Sequence, residues 1–113
     1  MSPDLMPLVD ILLAIKRALE FVHGYDADQF HSDKRTQWAV YSQIIIVGEA
    51  ARRISREFQD QHAEIPWAEM TGMRHKLVHD YDEIDWELVW DTVRVDFPKL
   101  RAAIEPLIPS EPR

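Results

Sequence analysis

The stretch Arg74-His75-Lys76-Leu77-Val78-His79-Asp80-Tyr81 gathers a fixed cation, two imidazoles, an amine and a phenol within eight residues. Histidine ordinarily titrates near neutrality, so His79 could take a proton from a ribose 2′-hydroxyl. Arginine presents a rigid fork of donors, so Arg74 could stabilise the charge that builds on a phosphorane. Together they would support cleavage of an RNA phosphodiester without a metal. A plainer reading has Arg74 paired with a carboxylate and His79 closing a helix end. The spacing also sets a condition, because five residues of α-helix turn through about 140°. Arg74 and His79 can serve one site only if the helix ends before His79, or if two copies of the motif meet across a two-fold axis.

Metal chemistry fits less well. His75 and His79 are four apart and would share one helical face, as paired-histidine ligands do. A third ligand would have to come from Glu49, Asp80 or Asp82, and Lys76 occupies the position where a metalloprotease helix carries Glu. Its charge repels a metal, so neither a metal nor another cofactor is expected. His23 stands at the end of the first helix, where a cation favours the negative end of the dipole, and His31 and His62 lie in polar stretches and read as solvated. Glu49 stands between Gly48 and Ala50 in the most apolar part of a long helix. A buried carboxylate needs a partner, so Glu49 is expected to be buried and to orient Arg74 or a histidine. His75 and Lys76 are expected to support the site, and Arg52, Arg53 and Arg56 form a basic strip on the same long helix.

Four helices are expected to position these residues. Leu5, Leu8, Leu12, Ile15, Leu19 and Val22 recur at spacings of three and four, with Asp4 as cap and Gly24 as stop. A polar segment, 25–35, offers several helix starts. A long second helix, 33–61, carries Trp38, Tyr41, Ile44, Ile45, Ala51, Ile54 and Phe58 on its apolar face. Its run Ile44-Ile45-Ile46-Val47 is apolar all round, which calls for cover on more than one side and so for a second chain. Pro66 opens a third helix through Trp67, Met70, Met73, Leu77 and Val78, ended by the acidic turn 80–85. Asp85 caps a fourth through Trp86, Val89, Trp90 and Val93, which Pro98 breaks or kinks before Leu100 and Ile104. The four tryptophans read as core or interface. No segment alternates with period two. The expected fold is all-α, an up-down bundle of four to five helices forming one domain over 1–105, with a Pro-rich tail at 106–113.

Composition narrows the function classes. With 113 residues there is room for one core, and with no cysteine there is no disulfide scaffold or thiolate chemistry. The 20 acidic against 13 basic residues give a net charge of −7, which argues against an extended nucleic-acid surface but allows a small basic pocket. The longest apolar runs, 11–15 and 44–47, are far short of a membrane span. Residues 1–4 lack a positive leader region, so the cytoplasm is the expected compartment.

The pattern Arg, four residues, His, any residue, Tyr over 74–81 resembles the signature of the HepT-like toxins of the HEPN superfamily. Ile46-Val47-Gly48-Glu49-Ala50-Ala51 resembles that family's middle-helix motif. Pro66-Trp67 followed by Gly72-Met73-Arg74 resembles its lead-in to the signature. The likeness runs from about Trp38 to Leu100. It implies a helical homodimer acting as the toxin of a toxin–antitoxin pair, a metal-independent endoribonuclease with Arg74 and His79 in a cleft at the dimer interface. It further implies a minimal nucleotidyltransferase antitoxin as partner, transferring AMP to Tyr81. Adenylylation there would add bulk and negative charge beside the cleft and repel RNA phosphate. The competing expectation is a non-catalytic helical dimer that serves as binding partner and substrate of the nucleotidyltransferase, for which the acidic balance is better suited.

Overall fold

A computed structural model describes residues 2–78 and 83–109 of the chain. His79 and Tyr81 therefore lie outside the described residues, as do Asp80, Asp82 and the end of the tail. The chain folds into α1 (Leu5–Phe21), α2 (Ala27–His31), α3 (Lys34–Arg52), α4 (Arg56–Gln61), α5 (Trp67–Thr71), α6 (Met73–Leu77), α7 (Trp86–Asp91) and α8 (Phe97–Ile104). A π-helical turn, Thr92–Asp96, joins α7 to α8, and a 3₁₀ turn, Glu105–Leu107, follows. The fold is all-α: among the described residues the extended pairing is a single isolated bridge, Val78 to Ile84.

Four columns make the up-down bundle, namely α1, α3, the α5–α6 pair and the continuous α7–π–α8 rod. α1 and α3 run antiparallel, tied at one end by Arg53 to Asp10 (2.5 Å) and at the other by Tyr25 and Thr36 (3.2 Å between hydroxyls). Side chains that are completely buried come from every column, among them Ile15, Ile44, Met70, Leu77, Val93 and Phe97. Each such side chain contributes about 1.5–3 kcal/mol by leaving water. The molecule is only 19 Å along its shortest axis. At 8–10 Å between packed helices that is two layers, so the outward side of α3 has no cover within the chain. The β-branched run divides accordingly: Ile44 and Val47 are fully buried, while Ile46 keeps 38% of its surface exposed.

Local chemistry explains where helices begin and end. Gly24 adopts φ of +78°, the left-handed stop expected after α1. Asp26 and Gln29 form a reciprocal capping box on α2, and buried Gln37 donates to the carbonyls of Phe30 and His31 at its end.

Three expectations need correction. The long second helix is two helices, because Ser55 caps a new one by accepting from the Phe58 N–H. Arg52, Arg53 and Arg56 consequently do not share one helix face; Arg53 pairs with Asp10 and Arg56 with Asp60. Asp4 precedes α1 but does not cap it. Its buried carboxylate accepts instead from the Ser55 N–H and hydroxyl, both at 2.7 Å, and so pins the start of α1 to the start of α4. Of the two outcomes expected at Pro98, a break or a kink, the break does not occur. Proline donates no N–H and its ring crowds the carbonyl four residues back, and the wider π turn directly ahead of it absorbs that misfit. Thr92 accepts at its carbonyl from the Phe97 N–H, five residues on.

Asp33 caps α3, accepting from the Thr36 N–H and hydroxyl and from the Tyr25 hydroxyl at 2.6 Å. The Tyr25 hydrogen bond, followed by those from Thr36, holds its carboxyl down from 3.8 to about 2. A carboxyl whose pKa is lower folded than unfolded stabilises the fold fully above pH 3.8, and that contribution is lost as pH falls through about 2. Removing the phenol should move the titration back up. In Tyr25→Phe, NMR titration of the Asp33 carboxyl carbon is expected to give a midpoint raised from about 2 toward 3.8. An unmoved midpoint would refute the assignment.

Candidate active site

The site residues are delivered by a close backbone approach. Gly48 in α3 lies against the end of α5, and a Cβ built on it would meet the Met70 carbonyl oxygen at 3.0 Å and that of Thr71 at 3.9 Å. A side chain at this position would crowd the carbonyl and make the two backbones move apart by a few tenths of an ångström. The chain then turns at Gly72 into α6, which is anchored by buried Met73 and Leu77 and turns Arg74, His75 and Lys76 to solvent. The expected third helix is thus two short ones, divided at Gly72.

α6 stops at Leu77, and Val78 is already extended, with φ −106° and ψ 123°. The helix therefore ends before residue 79, which meets the first of the two geometric conditions for Arg74 and His79 to act together. The residues on either side of 79–82 are drawn together by the Val78–Ile84 bridge and by the Asp85 N–H donating to the Leu77 carbonyl at 2.8 Å. Asp85 then caps α7 by accepting from the Leu88 N–H, as expected.

Arg74 has no ion pair among the described residues, so the plainer reading, a structural salt bridge, finds no support there. Lys76 is likewise without one. Glu49 departs from expectation: it is exposed on the outward side of α3 rather than buried, and forms no ion pair among the described residues. The reason is rotational. Ile46 and Glu49, three residues apart, share the stripe that the two-layer fold leaves uncovered. Within one chain Glu49 thus does not orient a buried partner. His31 is exposed, as expected for a solvated residue, His23 is exposed just past the end of α1, and His62 is half-buried against Phe58 and Glu64.

The sequence reading missed an aromatic group beside this region. Trp38, Tyr41 and Trp86 meet edge to face, with centroids 5.2 Å apart between the indoles and 5.8 and 6.1 Å to the tyrosine. They join α3 to the first residue of α7, just past the bridge. Trp38 is 55% exposed, unlike the core residue Trp67. Nothing in the spacing separates these two tryptophans. The isolated Gly48 inside a bulky helical run was the signal available for the close approach. Among the described residues no three His, Asp or Glu side chains are placed to hold a metal ion, and no helix is long and apolar enough to cross a membrane.

Comparison with known proteins agrees with the motif. The family model described as "Ribonuclease HepT-like" matches residues 11–107. The chain is 42% identical over 100 residues to "Probable ribonuclease HepT" of Thermococcus cleftensis, covering 88% of this chain and 91% of that protein. It is 37% identical over 98 residues to "Putative RNase MJ1380" of Methanocaldococcus jannaschii, covering 87% and 90%. No solved structure is significantly similar to the chain.

The contrast between packing and chemistry is measurable. Gly48→Ala should cost about 1–3 kcal/mol, since the new methyl meets backbone rather than a movable side-chain end. Arg74→Ala, at an exposed position without an ion pair among the described residues, should change stability by less than about 0.5 kcal/mol. Urea unfolding of both variants checks this; a large loss for Arg74→Ala would make Arg74 a structural residue.

Proposed function

The chain belongs to the HepT-like ribonuclease family and is a ribonuclease; from that premise we propose that it is a metal-independent endoribonuclease whose reaction is carried by Arg74 and His79. The observation that carries the reading is the state of Arg74, exposed and without an ion pair among the described residues, on a helix that ends before residue 79. His79 accepts the proton of the ribose 2′-hydroxyl as O2′ attacks phosphorus. Arg74 donates to the phosphorane oxygens as negative charge grows on them. The 5′-oxygen leaves and takes up a proton, so the products end in a 2′,3′-cyclic phosphate and a 5′-hydroxyl. Lys76, exposed beside Arg74, adds positive charge that draws in RNA phosphate, and exposed His75 offers it a hydrogen bond.

The working form is a homodimer. The uncovered stripe of α3, with Trp38, Ile46 and Glu49, supports a second copy as its cover, and a shared cleft then collects Arg74 and His79 from both chains. In this assembly Glu49 regains a role at the cleft. The protein acts in the cytoplasm as the toxin of a toxin–antitoxin pair, restrained by a minimal nucleotidyltransferase. That partner transfers AMP from ATP to Tyr81: the phenol oxygen attacks the α-phosphorus, pyrophosphate departs, and the phenol proton passes to solvent. The net charge of −7 favours one other reading, a non-catalytic dimer that serves the nucleotidyltransferase as ligand and substrate.

Cleavage of a labelled single-stranded RNA, with chelator present throughout, separates the two. Wild type should cut and leave the cyclic phosphate. His79→Ala is expected to lose about 10²–10⁴-fold in rate and Arg74→Ala about 10²–10³-fold, both at unchanged stability. Equal residual activity in all three would move the weight to the binding reading. Incubation with the partner enzyme and ATP should add AMP to the wild type, read as intact mass, and none to Tyr81→Phe. Modified protein should no longer cut RNA.

A further inference from the structure

A groove built from other elements runs along the seam between the second half of α1 and the π–α8 rod. One part is a hollow of about 330 Å³ bounded by His23, Gly24, Arg94 and Pro98. It adjoins a second of about 360 Å³ bounded by Lys16, Glu20, His23 and Arg101. Leu19 and His23 line both, so the two hollows lie side by side along the seam. Three permanent cations and an imidazole face it, against the single wall carboxylate of Glu20. Glu105, at the edge, holds Lys16 at 3.4 Å and Arg101 at 3.8 Å.

Arg94 differs from those two. Its Nη1 donates to the Tyr25 carbonyl at 3.4 Å and its guanidinium carbon lies 5.1 Å from the Trp90 ring centroid. A carbonyl and a ring fix the direction of the fork without cancelling its charge. The π turn, an irregularity often found where a side chain is used, is what presents it. On a chain of net charge −7, a polyanion can be held only where positive charge is concentrated locally. Arg94 also stands about 12 Å along the rod from Trp86, taking 1.5 Å per residue, and that end of the rod is bonded back to the end of the Arg74 helix.

We propose that this groove is a second, non-catalytic RNA contact, holding the phosphate backbone of a single strand with Arg94 as its anchor. The choice of RNA as the polyanion rests on the ribonuclease reading; the groove itself does not. Cations here bind phosphates without sequence preference and raise local substrate concentration, so their loss is felt in binding and in KM rather than in kcat.

The test uses the full chain and a fluorescent 2′-O-methyl oligonucleotide, which has no free 2′-hydroxyl and cannot be cut by this chemistry. Arg94→Glu combined with Arg101→Glu is expected to weaken binding at least about tenfold. It should also flatten the log–log salt dependence by about 1.4, the loss of two phosphate contacts on a single strand. Glu20→Gln should tighten binding, an opposite sign that misfolding cannot produce. Binding that ignores both changes overturns the proposal, as does wild type that does not bind the oligonucleotide. Binding of poly-glutamate in its place would assign the groove to an acidic protein segment and also overturn it. A protein that cuts RNA while its oligonucleotide binding ignores these residues loses the groove and keeps the nuclease; one that binds through the groove and never cuts does the reverse.

Discussion

The contact between Gly48 and the Met70 carbonyl sets the arrangement of the rest. With 3.0 Å from an added Cβ to that oxygen, α3 and α5 meet backbone to backbone, closer than a side chain there would sit without displacing one of them. Because α5 is seated so near, α6 follows within reach of α3, and its two buried residues, Met73 and Leu77, leave the three basic ones no direction but outward. The exposure of Arg74 is thus a consequence of packing one turn earlier. Bulk at position 48 would push away the helix pair that presents the cation.

Around that contact the chain is held by bonds that span long sequence distances. Asp4 reaches Ser55, Asp10 reaches Arg53, and Arg94 reaches the Tyr25 carbonyl. The first is the most consequential, since a buried carboxylate with two charge-assisted donors is worth more than a solvated pair. It also explains why α3 stops at Arg52: the Ser55 N–H and hydroxyl are committed elsewhere, so the helix restarts rather than continues. At the other end, Asp85 links the end of α6 to the start of α7 and joins the two sides of 79–82 to the aromatic group of Trp38, Tyr41 and Trp86.

Charge is distributed to match the chemistry of a polyanionic substrate on an acidic protein. Among the described residues Lys16, Arg53, Arg56 and Arg101 are paired with carboxylates, whereas Arg74 and Arg94 are among the cations that are not. Arg74 stands on a short helix within the signature, and Arg94 is set by a π turn and an indole face. Outward apolar surface is also concentrated, with Trp38 and Ile46 on the stripe of α3 that a two-layer slab leaves open.

By itself, the sequence determined the fold class, the apolar faces of α1 and the last rod, the Gly24 stop and the Asp85 cap. Each follows from local periodicity or from one side chain acting on its own neighbours. The motif with its flanking residues also placed the chain in its family, because order and spacing survive without coordinates. Tertiary structure decided the rest. Whether Asp4 caps its own helix or Ser55's depends on a partner 51 residues away, and no window of sequence contains both. The side of α3 that faces water was settled by how many layers the chain can build, which turned Glu49 from a buried carboxylate into an exposed one. The π turn came from a compromise between Pro98 and an otherwise continuous rod, and the basic groove exists only where two distant helices pack. These are long-range outcomes, set by which surfaces meet, and periodicity carries no information about that.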